Sequence, residues 1–581
     1  MSQSAGAYDA ARTHLPCGKY PRSLVRRSKV KFALATFALA VASASVTTPA
    51  AALRADPARL SIDVKLLSSD AFEGREPGTR AEQRSVLFII DRMKEAGLQP
   101  GGALVGGHRG WTQNVPLAKF AFAGPISLSL TVGGRQVPLA QGQQVAIRAP
   151  QTNVDQLALQ GAPLVFVGYG VQAPERKWDD FKGVDLHGKI AVVLVNDPDF
   201  ETGQGDFGGK AMTYYGRWTY KYEEAARLGA LGVLIVHEAA AASYGWATVV
   251  NSNTDAVYDI VRSDPAQAHV PLEGWIQHDT AVALFKQAGL DLDALKKLAQ
   301  TREFKPVPLA GVTLTASAPV HHEVVVSKNV VGRLPGTTKP DETLIYSAHW
   351  DHFGVRPLGP GVSGDRILNG AVDNGTGVAA LLELGRLFGA APRTARSIVF
   401  LATTAEERGL LGSEYYAANP IYPLETTVAD INMDILGTYG PTRDVSTFGD
   451  TQNGLLADLI EAAQAQGRTY TADPSPEAGH FFRSDHFSLS KLGVPAMSFS
   501  PGDDLVNGGV VAGRAHREDY YAHRYHQPGD EWTPAMDFRG EALDVTLLYN
   551  LGRKLATSGW PQWNGGSEFK EIRDKSASQR H

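Results

Sequence analysis

The chain has 581 residues, 43% of them hydrophobic and 20% charged, which suits a folded protein too long for one ordinary core. A formal charge of −5 lacks the basic excess that phosphate binding needs, and so argues against nucleic acid as a partner. The single cysteine, Cys17, excludes a disulfide framework.

Arg22, Arg26, Arg27, Lys29 and Lys31 precede an apolar run over 32–46 that closes on Ala50-Ala51-Ala52. A basic region, a short apolar core and a small-residue site predict a secretory signal peptide over 1–52, cleaved after Ala52. The run is shorter than the roughly 20 residues of a membrane span, so no stable membrane anchor is expected once it is removed. The expected location is periplasmic or secreted. Cleavage takes away seven Lys/Arg and one Asp, leaving 49 basic against 60 acidic residues and a net charge of −11. Cys17 leaves with it, so any metal must be held by His and carboxylate.

Residues 53–122 read as the N-terminal part of a catalytic domain, mostly helical as far as Leu117. Residues 85–97 form an amphipathic helix closed by Gly97. Arg75 and Glu76 sit in a loop and read as solvated rather than as substrate contacts. Residues 123–316 change to short β runs and Gly/Pro turns, with strands over 163–170, 189–195 and 232–236 and a helix over 222–230. This stretch reads as an inserted β-rich domain able to lean over an active site. His187 and His237 are isolated and read as satisfied side chains. Tyr214, Tyr215, Trp218, Tyr220 and Tyr222 read as packing, ahead of a substrate groove. Residues 561–581 read as a polar C-terminal tail.

The chemistry concentrates in 317–560. Apolar runs over 344–347, 398–402 and 428–431 precede His349, Glu406 and Asp434, and 378–388 repeats its apolar positions at helical spacing. That pattern predicts an α/β fold: a central, mostly parallel mixed sheet with helices on both faces, its ligands collecting at the carboxyl ends of the strands. Those ends supply His349, Asp373, Glu406, Glu407 and Asp434. Zinc in a hydrolase takes His nitrogen and carboxylate oxygen with one position open, and a pair of ions is helped by a bridging carboxylate. Five ligands can be counted: His349, Asp373, Glu407, Asp434 and a later histidine, for which His526 beside the Pro528-Gly529 turn is the best choice. Glu406 is then free to act as a general base. Asp351 is placed to partner the second ring nitrogen of His349. Taken singly these residues say little, since Glu406-Glu407 alone is a solvated acidic pair, Asp373-Asn374-Gly375 a turn and Asp351-His352 a surface pair. Their joint order near successive strand ends carries the reading.

The set His349-x-Asp351-His352-x-Gly354, Asp373-Asn374-Gly375-x-Gly377, Glu406-Glu407, Asn432-Met433-Asp434 and Tyr525-His526-x-Pro528 resembles metallopeptidase family 28, the secreted di-zinc aminopeptidases. The resemblance is strong over 320–560 and loose over 60–117, and the insert resembles a protease-associated domain. It implies two zinc ions per chain, one held by His349 and Asp434, the other by Glu407 and His526, with Asp373 between them. It further implies Glu406 as acid/base, Asp351 orienting His349, Tyr525 donating to the oxyanion and Arg483 meeting the substrate main chain or a product carboxylate. The expected substrates are peptides with a free N-terminus. The alternatives are a carboxypeptidase of the glutamate carboxypeptidase type, a single-zinc glutaminyl cyclase-like transferase, and a metal-free receptor-like binding protein.

Overall fold

The structure, a computed structural model, describes residues 53–356, 363–449 and 451–580. The expected signal peptide, its cleavage site and Cys17 lie outside the described residues. Among the described residues no helix is long and apolar enough to cross a membrane.

The strands Lys339–His349, Arg396–Thr403 and Thr427–Met433 are the apolar runs of the sequence, and they pair in parallel with the first in the middle. Ala496–Pro501 adds a fourth parallel strand, and antiparallel strands flank the group on both sides. The sheet is therefore mixed with a parallel centre, as expected. Alternation along these strands feeds two cores. Leu344, Tyr346, Ala348, Ile398, Phe400 and Ala402 join the helices Gly377–Ala390 and Arg539–Leu555 on one face. Ile345, Val399 and Leu401 join Tyr416 and Leu489, from the short helices Leu411–Ala418 and His486–Ser490, on the other. A strand buried on both faces has no polar positions to spare, which is why these runs are continuously apolar. The register aligns His349 with Thr403, so the parallel strands end together and the residues just beyond them share one edge.

The N-terminal part is less helical than expected. Pro57–Leu67 and Arg80–Glu95 are helices, each with a side-chain N-cap from Asp56 and Thr79 respectively, and Gly97 ends the second at a φ of 75°. Thr112–Phe122 is already a strand. The insert is more α/β than β-rich. Its strands Gln156–Phe166, Ile190–Leu194, Gly232–His237 and Leu272–Gln277 are parallel neighbours in that order. Helices Trp218–Arg227, Trp246–Thr254, His278–Gln287 and Leu292–Ala299 accompany them.

Two expected boundaries move. Val307–Leu334 is one strand of 28 residues. It pairs with Ser127–Val132 and Gln156–Phe166 in the insert, then with Thr112–Phe122, then with Arg396–Thr403. The division at 316/317 therefore falls inside a continuous strand. The last stretch is no loose polar tail either. Trp563 and Phe569 are buried with Phe481, Phe482 and Phe487, and the Trp563 indole donates to the Gly493 carbonyl at 2.9 Å. The buried Arg573 guanidinium donates to the carbonyls of Leu424 and Thr427.

Candidate metal centre

The sequence-predicted residues His349, Asp373, Glu406, Glu407, Asp434 and His526 converge at the carboxyl edge of the parallel strands. His349 Nε2 lies 3.3 Å from Asp373 Oδ1 and 3.3 Å from Asp434 Oδ1. The other oxygen of Asp373, Oδ2, lies 3.2 Å from His526 Nε2, which is itself 3.3 Å from Glu407 Oε2. Asp373 thus turns one carboxylate oxygen to each of two His/carboxylate sets. Glu406 stands slightly back, its Oε2 3.9 Å from His349 Nε2. His526 Nε2 is buried yet aligned with neither nearby oxygen for a hydrogen bond.

Each of these side chains is held from behind. Asp373 sits in a loop whose backbone is clamped from two directions. The Asp530 carboxylate accepts from the amides of Val372 and Asp373, and it also receives the Tyr520 hydroxyl. From the other side Arg75, 1% exposed, donates to the carbonyls of Trp350 (2.8 Å), Leu67 (3.0 Å), Asn369 (2.6 Å) and Gly370 (2.9 Å). Arg75 is therefore no solvated loop residue, contrary to the sequence expectation. It fits because Gly74, at φ 62°, passes 2.5 Å (from an ideal Cβ position) beside the backbone oxygens of Gly354 and Leu368, where only glycine can go. Asp434 is fixed by Ser484, whose hydroxyl donates to Oδ2 at 2.8 Å and accepts from Asn432 at 2.7 Å.

Asp351 acts differently from its expected role. The ring nitrogen Nδ1 of His349 meets the Asp351 carbonyl at 3.2 Å, while the Asp351 carboxylate is 3.7 Å away. That carboxylate instead accepts from the amides of Glu406 (3.1 Å) and Glu407 (3.4 Å), and so fixes the turn that carries both glutamates. His352 is likewise no surface residue. It is fully buried, and its Nδ1 lies 2.6 Å from Glu407 Oε1. With Asp373 and Glu407 it forms a second group of facing ligand atoms beside the group His349, Asp373 and Asp434. His352, Arg75, Asp530 and Ser484 were missed by sequence reasoning. Only His352 carried a signal, its place inside the quoted motif.

Charge is out of balance at this edge. Asp373, Glu406, Glu407 and Asp434 face three imidazoles, those of His349, His352 and His526, and among the described residues no Lys or Arg forms an ion pair with any of the four. Burial, then the neighbouring carboxylates, pushes Glu406 well above the ordinary carboxylate range and Glu407 up to about 7. Burial opposes a charged His349, but Glu406 and Asp434 outweigh it and hold the ring well above its usual value. So many like charges in one dry place need a compensating cation. The donor set is hard oxygen and imidazole nitrogen without thiolate, and the buried, unaligned His526 nitrogen points into it. These residues fit zinc.

Tyr525 stacks on His526 with ring centroids 3.7 Å apart. Arg483 makes no ion pair among the described residues, and two of its nitrogens are buried without partners. His187 is exposed beside Asp185, and His237 is buried against the Tyr244 carbonyl. Tyr215, Tyr220 and Tyr222 pack in the insert's cores. Tyr214 instead reaches across to Phe482, Phe487 and Phe569.

Several known proteins are similar to this chain over part or most of its length. It is 24% identical over 441 residues to aminopeptidase YwaD of Bacillus subtilis (strain 168), covering 75% of this chain and 74% of that protein. It is 36% identical over 132 residues to aminopeptidase NAALADL1 of Mus musculus, covering 22% of this chain and 16% of that protein. The solved aminopeptidase from Aneurinibacillus sp. strain AM-1 aligns at 19% identity and a TM-score of 0.46, covering 87% of this chain and 95% of that one. Residues 329–540, the stretch that contains every imidazole and carboxylate facing one another at the strand ends, match the model of peptidase family M28.

Proposed function

We propose that the chain is a secreted zinc-dependent aminopeptidase that removes N-terminal residues from peptides, using two zinc ions and Glu406 as the general base. The observation that carries this is Asp373, whose two oxygens each face a separate imidazole and carboxylate. His349 and Asp434 would hold one ion and Glu407 and His526 the other, with Asp373 shared. Zinc bound there supplies Lewis acidity to the attacking water and the scissile carbonyl.

The chain's own residues supply the rest. Glu406 lies beside the set rather than within it, and burial raises its proton affinity. It can take the proton of the attacking water and return it to the leaving amine. The Asp351 carboxylate keeps Glu406 and Glu407 in register by holding both their amides. Tyr525, packed on His526, would donate to the developing oxyanion. The insert over 123–316 is read as protease-associated in type, and residues 1–52 as the export signal.

Two measurements test this reading. Zinc-loaded protein should cleave peptides with free N-termini, leave N-acetylated ones intact, and stop when a chelator is added. Release of C-terminal residues from blocked peptides would overturn it in favour of a carboxypeptidase. Glu406→Gln should keep its zinc and lose about 10²–10⁴-fold in turnover; near-normal activity would remove Glu406 from the base role.

A further inference from the structure

The insert repeats, on a smaller scale, the arrangement that places the metal centre. Its strands Gly232–His237 and Leu272–Gln277 run in parallel, and the register sets their last residues, His237 and Gln277, side by side. Ile190–Leu194 lies parallel on the other side of Gly232–His237, and Glu201 follows it in the chain. A crevice of about 540 Å³ opens at this edge, lined by His237, Glu238, Gln277, Glu201, Trp246 and Lys296 among others, all of them from the insert. The carboxyl edge of a parallel sheet is where ligands collect in α/β folds.

The charged and imidazole groups of the crevice mostly offer acceptors. Lys296 Nζ lies 2.6 Å from Glu201 Oε1 and 2.9 and 2.8 Å from the two oxygens of Glu238, so its three N–H groups are engaged and none is left for an anion. Lys296 thereby ties Glu201 to Glu238, the chain neighbour of His237. Two carboxylates against one ammonium leave these three with an excess of negative charge. The Glu201 side chain is 38% exposed, so its carboxylate remains open to a ligand.

His237 is 5% exposed, and its Nε2 lies 3.0 Å from the Tyr244 carbonyl, which can only accept. The ring proton is therefore on Nε2, and burial keeps the imidazole neutral by lowering its proton affinity. Nδ1 is left as a lone-pair acceptor without a hydrogen-bond partner among the described residues, in a ring that lines the crevice. Buried acceptors are ordinarily paired, so this one calls for a donor from outside the chain. Trp246 forms a wall of the same crevice, its indole nitrogen anchored on the Gly142 carbonyl at 3.0 Å, and indole faces attract organic cations.

We propose that this crevice is a second ligand site, separate from the metal centre, for a small organic ammonium ion. An ammonium head only donates, which matches the carboxylates and Nδ1 of His237, and an alkyl stem matches the face of Trp246. An anion finds no such match, because Lys296 is already engaged. The ammonium is either the α-amine of an amino acid or peptide, or the terminal amine of a straight-chain amine.

Calorimetry on the zinc-loaded full chain with 1,4-diaminobutane, L-leucinol and 1,4-butanediol tests this. Leucinol presents an α-type ammonium and has no bond for a peptidase to cut, and the diol is the uncharged control. At least one amine should bind about tenfold or more tightly than the diol, and the amine preferred identifies the source. Glu201→Gln should weaken that binding about fivefold or more, and Trp246→Leu likewise, while cleavage of Leu-Ala stays at the wild-type rate in both. An amine that binds Glu201→Gln as it binds wild type sits elsewhere, at the metal centre included, and overturns the proposal. So does an amine that binds no better than the diol. Should Trp246→Leu melt at a lower temperature than wild type, Glu201→Gln decides alone, since its side chain is exposed. Because the readout is binding, a chain that cleaved no peptide would sink the aminopeptidase reading and leave this test intact.

Discussion

Arg75→Met removes the clamp on the Asp373 loop while keeping most of the side chain's length and apolar stem. The guanidinium donates to five buried carbonyls, those of Leu67, Trp350, Asn369 and Gly370 and, at 3.5 Å, that of Asp373 itself. Each one left without a donor costs roughly 1–3 kcal/mol. The four at 3.0 Å or less would cost about 4–12 kcal/mol, but burial already penalises this cation, and losing it returns part of that sum. A net loss of about 3–5 kcal/mol is expected, the range for breaking one side of a buried charged network. Urea unfolding of the chelated protein reads the stability, and a zinc titration of the folded variant reads the loop. Both should change, because three of the five carbonyls belong to this loop, those of Asn369, Gly370 and Asp373 itself. A cost under about 1 kcal/mol with unchanged zinc affinity would refute the idea that Arg75 sets the position of Asp373.

Other outcomes are expected from features distant from the metal centre. Trp563→Ala should cost about 3–5 kcal/mol in a thermal or urea melt, because the indole is buried and bonded to Gly493; a surface-like cost would return 561–581 to the status of a tail. Gly552→Ala would place a Cβ 1.8 Å from the Tyr346 hydroxyl oxygen, and overpacking of about 1–3 kcal/mol is expected. Adding Tyr346→Phe should relieve part of it, so the two costs measured in a double-mutant cycle should not add. His269 sits between Glu273 (2.8 Å) and Asp259 (3.0 Å), and although burial opposes its charge these acids raise it to about 10. A raised imidazole stabilises fully below its ordinary value of about 6.5 and loses that contribution as pH rises through 10. The melting temperature should therefore fall between pH 7 and 10 more in wild type than in His269→Gln; parallel curves would contradict the assignment.

The parallel centre of the sheet was legible because burial on both faces leaves continuous apolar runs, and the polar residue after each run marks the edge where ligands gather. His349, Glu406 and Asp434 could be named in this way, whereas Asp373, Glu407 and His526 came from counting the ligands a pair of ions needs and from the turn beside Pro528. The supports could not. Arg75 and Asp530 act through backbone carbonyls and amides, which every residue owns, so no pairing pattern links them to positions some 160–300 residues away. Asp351 looked like a partner for His349, yet the hydrogen bond goes to its carbonyl, and a sequence does not say which oxygen a side chain will offer. The tail misled for a different reason: its large apolar residues, Trp563, Phe569 and the exposed Ile572, stand among many polar ones, and the first two are enough to dock it.

The strand Val307–Leu334 runs unbroken from the insert's sheet into the catalytic one. A spar shared by two bodies resists scissoring: swinging the insert away would have to tear interstrand ladders on both sides of the crossover. Access to the zinc edge is then governed by loops at the rim rather than by a hinge. Lengthening or thinning those loops is then the adjustment that would change what such an enzyme admits.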